Sequence, residues 1–297
     1  MRSRARVRDE TGQSTIEWTA LVLLVALALG FLGAIAGLGL PGAALARGIT
    51  DKIVCAVGLD GDCGATHDPS ELALAYGDEV AALVEEHAPT ILYESGMRAL
   101  PVDYRRCRED ACADGPEGGT VWRSKTGEPT VAFIHVIDCR PGSPARATPS
   151  EADCGGERTG RLYLQYWVYY PGSATGEGSI APDLIRDVSG GRTYHPDDWE
   201  SYTVRLGPDG AHQRASSHHG YGEGWVREHG YYYVAGGSHA GSVAVGDLRN
   251  GARATPPGRL RLIPLEPIAA ARPAVEFAVT PPWLKKVWFD PEYEGTD

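Results

Sequence analysis

Hydrophobic and polar positions divide this chain into three stretches with different periods. The first, residues 18–46, carries no charged side chain. Residues 18–40 alone are long enough to cross a bilayer as one helix, which takes about 20 apolar residues. The second stretch has helical spacing: Leu72, Tyr76, Val80, Leu83 and Val84 fall on one face. Asp68-Pro69-Ser70-Glu71 supplies an N-cap, a first-turn proline and an acid three residues after the cap, and Ala88-Pro89 stops the helix. The third stretch starts at Thr90. Here short runs rich in aromatic and β-branched residues alternate with connectors of Gly, Pro, Asp and Ser. Strands are expected at 91–93, 130–137, 161–170, 199–206, 231–235 and 260–264. The spacing predicts a mainly β fold, an antiparallel β-sandwich with a preceding helix and an N-terminal transmembrane helix.

Charge sets the orientation of that first stretch. Arg2, Arg4, Arg6 and Arg8 precede it, which predicts a cytoplasmic N-terminus and an exterior bulk. All six cysteines lie beyond it, and their number is even. That pattern fits disulfides in an oxidising compartment, with sequence proximity favouring Cys55–Cys63, Cys107–Cys112 and Cys139–Cys154. The formal net charge of −11 argues against nucleic acid as a partner. A second processing site competes with anchoring. Ala44-Leu45-Ala46 follows Pro41-Gly42 as a small-x-small sequence, and cleavage there would release the exterior part as a secreted protein.

Candidate chemistry concentrates in His195-Pro196-Asp197-Asp198-Trp199-Glu200. Side chains alternate along a strand, so Asp198 and Glu200 share a face. A short loop before the strand would bring His195 to the same point. His195, Asp198 and Glu200 are therefore the expected ligands of a divalent metal. Trp199 should face the other way, into a core. The carboxylates have an alternative use as ion-pair partners of Arg192 or Arg205. Three further pieces accompany the motif: the aromatic run Tyr166 to Tyr170 ending at a Pro171 turn, Ser216-Ser217-His218-His219, and Gly236-Gly237-Ser238-His239-Ala240-Gly241. His218, His239 and Asp197 are expected behind the ligands or as acid/base groups. His212 and His229 read as surface residues, and His135 as a satisfied strand histidine. Nothing matches a nucleophile elbow or an HExxH zinc motif.

Two resemblances follow from these motifs. Tyr-Pro after an aromatic strand, His-x-x-Asp-Trp-Glu, Ser-His and Gly-Ser-His-Ala, in that order, resemble the vacuolar protein sorting-associated protein 62 family across roughly residues 88–288. The His-x-x-Asp-Trp-Glu core is also similar to the heptapeptide of necrosis-inducing toxin-like proteins. The toxin-like resemblance implies a β-sandwich that binds a divalent cation and meets membranes through a lipid headgroup sugar. Where that family has a second histidine, this chain has Asp197, which favours Ca, Mg or Mn over Zn. At the other end, Gly12-Gln13-Ser14-Thr15-Ile16-Glu17-Trp18 resembles the leader of type IV pilin and Tad pseudopilin-like proteins. That resemblance implies cleavage between Gly12 and Gln13, with Glu17 pairing a neighbouring subunit inside the membrane.

The organisation expected is a cytoplasmic leader (1–12), a pilin-like transmembrane helix (13–47), a stalk (48–69) and an exterior domain (70–297). The expected function is a surface-displayed, non-enzymatic module that binds a divalent metal and recognises a glycan or lipid headgroup. Two alternatives remain open: a metal-assisted hydrolase of glycan, lipid or phosphoester bonds, and a purely structural pilin-like assembly subunit.

Overall fold

The computed structural model describes residues 69–143, 152–174, 194–216, 220–221, 224–270 and 275–296. The expected leader, its Gly12, Gln13 and Glu17, the apolar tract, Cys55, Cys63 and His218 lie outside the described residues. Among the described residues no helix is long and apolar enough to cross a membrane.

The protein is mainly β, with two mixed sheets and a few short helices. The predicted helix forms as two pieces, α1 (Pro69–Tyr76) and α2 (Asp78–Glu86). The break falls at Gly77, whose φ of 83° lies in the left-handed region that favours glycine. The expected apolar face is nonetheless continuous: Leu72, Tyr76, Val80 and Val84 are buried and Leu83 packs beside them. Tyr166 donates to the Val84 carbonyl at 2.7 Å and pins the end of α2 to the larger sheet.

One sheet has four strands, in the order β8 (Gly241–Ser242), β7 (Tyr231–Val234), β1 (Thr90–Glu94) and β9 (Gly251–Thr255). The other has six, in the order β10 (Arg261–Pro264), β2 (Val131–Asp138), β3 (Leu162–Ala174), β4 (Tyr194–Gly207), β5 (Gly210–Ala215) and β6 (Val226–Arg227). The expectation of purely antiparallel sheets is corrected at two places: β1 runs parallel to β7, and β10 parallel to β2. In both pairs the strands are far apart in sequence, and long crossovers permit parallel pairing.

Both sheets feed one apolar core. Ile91, Tyr93, Tyr232 and Val234 come from the smaller sheet, and Ile134, Tyr166, Tyr202 and Val204 from the larger. The far face of the larger sheet carries a second core. Phe133, Trp167, Tyr169 and Trp199 lie there beneath the C-terminal segment, with Val287 and Trp288 buried against them. This explains why β2 is buried at every position: a strand covered on both faces has no solvent side. Trp199 takes the core position expected of it, edge-on to Tyr104 and Phe277.

Two of the expected disulfides are present, Cys107–Cys112 and Cys139–Cys154. They clip the segments 107–112 and 139–154. His135 is a satisfied strand histidine: it is fully buried, bonds Glu266 at 2.7 Å and stacks on Trp288.

Candidate functional site

The strand carrying the candidate chemistry starts earlier than expected. β4 runs through His195, Pro196 and Asp197 instead of leaving them in a loop, and β3 runs through Pro171 to Ala174 instead of turning there. The register sets Tyr170 opposite Asp198, Gly172 opposite Pro196 and Ser173 opposite His195. Pairing on both sides of the two prolines keeps the ribbon together, although neither proline has an N–H to give.

This extension separates the residues of the motif. Asp198 and Glu200 share one face, as the alternation requires, and are both buried. His195 is exposed, and its Nδ1 lies 3.0 Å from the Asp197 carbonyl oxygen. With Asp198, Glu200, Ser173 and Lys285 it lines a cleft of about 300 Å³. The C-terminal segment supplies the facing wall, including Val279, Thr280 and Thr296.

Asp197 serves a different purpose. Its φ is 58°, and its buried carboxylate is ringed by donors: Tyr169 Oη at 2.6 Å, Arg108 Nη2 at 2.7 and 2.8 Å, and the Ala278 backbone N–H at 2.9 Å. Burial pushes this carboxyl up, but the bonds from Tyr169, Ala278 and Arg108, with the Arg108 charge, outweigh it and hold the group below its ordinary value. The side chain thus ties the C-terminal wall to β4 and is absent from the cleft lining.

Behind the cleft floor lies His239. Its Nδ1 is 2.9 Å from Asp198 Oδ2, and its ring stacks on Tyr170 with centroids 4.0 Å apart. A non-glycine φ of 53° at His239 marks a backbone held in place by its surroundings. The reason is visible in the turn. Ala235 N–H donates to the Ala240 carbonyl and Gly241 N–H to the Ser216 carbonyl. A Cβ on Gly241 would come within 2.5 Å of the Tyr232 ring and 2.7 Å of the Ser216 carbonyl oxygen, so only glycine fits. Ser216 also donates to Glu200 Oε2 at 2.6 Å. One network therefore holds the Gly-Ser-His turn, Ser216 and both carboxylates.

The electrostatics of this group are unbalanced. Burial pushes the Glu200 carboxyl well above the usual carboxylate range; the Asp198 charge pushes the same way, and the Ser216 bond and the Lys285 charge act against them. Burial foremost, with the Asp198 and Glu200 charges also contributing, pushes the Tyr170 and Tyr232 hydroxyls well up. His239 Nε2, Tyr170 Oη and Tyr232 Oη are buried without a hydrogen-bond partner among the described residues. Orphaned polar atoms around two buried carboxylates are what a bound ion or water would satisfy. The donors are mostly oxygens, which suits a hard divalent cation. Yet no three His, Cys, Asp or Glu side chains among the described residues are gathered closely enough to form a ready-made metal cage.

Sequence reasoning missed two residues that hold this site. Lys285 sits in the tail, with no motif to mark it. Arg108 carried only the indirect signal of lying between two bonded cysteines. No protein-family model matches the chain, and neither a curated protein nor a solved structure does.

Proposed function

We propose that the exterior part of this chain is a β-sandwich module that binds a divalent cation at Asp198 and Glu200, and through it the oxygens of a glycan or lipid headgroup. His239 orients Asp198 from behind, and His195 stands at the mouth. The N-terminal segment anchors the module to the membrane in a pilin-like manner and gives it access to assembly subunits. The observation that carries this reading is the carboxylate pair itself. Asp198 and Glu200 are buried side by side on one strand face, with His239 as the single ion-pair partner found for either among the described residues. A cation would offset the desolvation and mutual repulsion of the two. Ca, Mg or Mn fits the oxygen donors better than Zn.

The test is titration of the full chain in mild detergent with Ca²⁺, Mg²⁺, Mn²⁺ and Zn²⁺, beside Asp198→Asn and Glu200→Gln. Stoichiometric binding by the wild type, lost in both folded variants, is the expected result. A folded wild type that binds none of the four ions sinks the reading.

A second reading, a metal-assisted hydrolase, draws support from His239. An imidazole oriented by a carboxylate with its other nitrogen unpartnered is suited to proton transfer. It predicts turnover of a glycan, lipid or phosphoester that disappears with chelator and in His239→Ala.

A further inference from the structure

The cleft is chemically two-sided. Asp198 and Glu200 line it from β4, and Lys285 lines it from the C-terminal segment. Lys285 is half-buried and makes no ion pair among the described residues; its charge acts on Glu200 without contact. The lining also carries His195 and several hydroxyl groups, among them Ser173, Ser216, Ser238, Thr280 and Thr296. At about 300 Å³ the cleft lies at the small end of ligand pockets, room for a headgroup and not for a long glycan.

We propose that the ligand of this cleft carries a phosphate group, and that Lys285 selects it. The inference rests on the cation-binding reading above for its first half: two carboxylates short of a cage suit an ion whose remaining positions are filled by phosphate oxygens. Its second half is independent of that reading. A lysine facing hydroxyl groups in a half-enclosed cleft is a point-charge anion contact. A phosphate can meet both sides at once, one oxygen toward the carboxylate-held ion and another toward the Lys285 ammonium. A neutral sugar satisfies the hydroxyls but offers the Lys285 ammonium no charged group to contact. Phosphate could come from a lipid headgroup or from a free small phosphoester.

The experiment is calorimetric titration of the full chain in mild detergent, with and without Mn²⁺. The probes are sn-glycerol 1-phosphate, dihexanoyl phosphatidic acid as a soluble lipid, and glycerol as the neutral control. Expected is binding of one or both phosphates and not of glycerol. Lys285→Gln should weaken it about tenfold or more, the loss of one charge-assisted bond, with Mn²⁺ stoichiometry unchanged. Lys285→Arg should restore most of it. Binding of both phosphates identifies the phosphate itself as the determinant, and binding of the lipid alone a headgroup with its chains attached. Mn²⁺ binding without phosphate binding, or equal affinity in Lys285→Gln, overturns the inference and leaves the cation reading standing. Phosphate binding that depends on Lys285 but persists where no ion binds upholds the role of Lys285 and removes the cation.

Discussion

Asp197 offers the sharpest quantitative test of how the cleft is held open. Asp197→Ala removes the acceptor for the Tyr169 hydroxyl and the Ala278 N–H, both at or below 2.9 Å. Leaving the buried Tyr169 hydroxyl unpaired costs about 1–3 kcal/mol, and losing the bond from the N–H of exposed Ala278 about 0.5. The Arg108 side chain is 38% exposed and can turn to water, so its share is about 0.5 kcal/mol. Alanine at a φ of 58° adds roughly 1 kcal/mol, a strain that asparagine largely escapes. The expected loss is about 4 kcal/mol for alanine and about 1–2 for Asp197→Asn, which keeps one acceptor and tolerates the left-handed backbone. Urea unfolding of the full chain in mild detergent measures both. A pH series adds a second signature. The folded carboxyl lies below its unfolded value of about 3.9. Its contribution is therefore complete above that value and is lost as pH falls through the depressed folded one, so the gap between wild type and Asp197→Asn should close in strong acid. A cost below about 1 kcal/mol for alanine, or equal costs for alanine and asparagine, would refute the clamp.

Two further outcomes are expected elsewhere. His87 bonds Glu228 at 2.8 Å, and that bond lifts the imidazole above its ordinary value although burial opposes it. Its stabilisation is therefore full below the unfolded value of about 6.5 and lost as pH rises through the raised folded one; His87→Gln should cost about 1 kcal/mol at pH 5.5 and close to none at pH 9, and a pH-independent difference in melting contradicts this. Gly241→Ala forces a methyl onto the Tyr232 ring and the Ser216 carbonyl. It should cost roughly 2–3 kcal/mol in chemical unfolding, and a neutral substitution would show that the turn carrying His239 is looser than its packing implies.

Much of the fold was legible because its central strands are aromatic and β-branched: residues 91–93, 131–137 and 162–170 all form strands as expected. The misses share a cause. β5 reads Gly-Ala-His-Gln-Arg-Ala, a polar run, yet Gln213 and Arg214 are buried. Their bonds go to Tyr202 and His229, and to the Pro291 and Tyr293 carbonyls, partners that no local pattern announces. The first residues of β4 hid behind Pro196 and two acids, which look like a loop until β3 lies alongside. At the site, alternation correctly put Asp198 and Glu200 together. The His239 contact joins residues separated by 41 positions, and spacing rules do not reach that far. Likewise the donor ring that withdraws Asp197 from the cleft comes from Arg108 and Ala278, on segments joined only by tertiary packing.

The position of β1 has a consequence for folding kinetics. Among the described residues, its five residues at Thr90–Glu94 find strand partners only in β7 and β9, at Tyr231–Val234 and Gly251–Thr255. The antiparallel ribbon of β3, β4 and β5 joins strands nearer in sequence, but the smaller sheet must wait until a very long loop has closed. During synthesis the first strand of the domain thus emerges long before either of its strand partners, and the two halves of the site, Asp198 on β4 and His239 after β7, can meet only once residue 239 has been made. A chain stopped before residue 231 would keep the carboxylates yet have neither the histidine behind them nor a partner for its first strand.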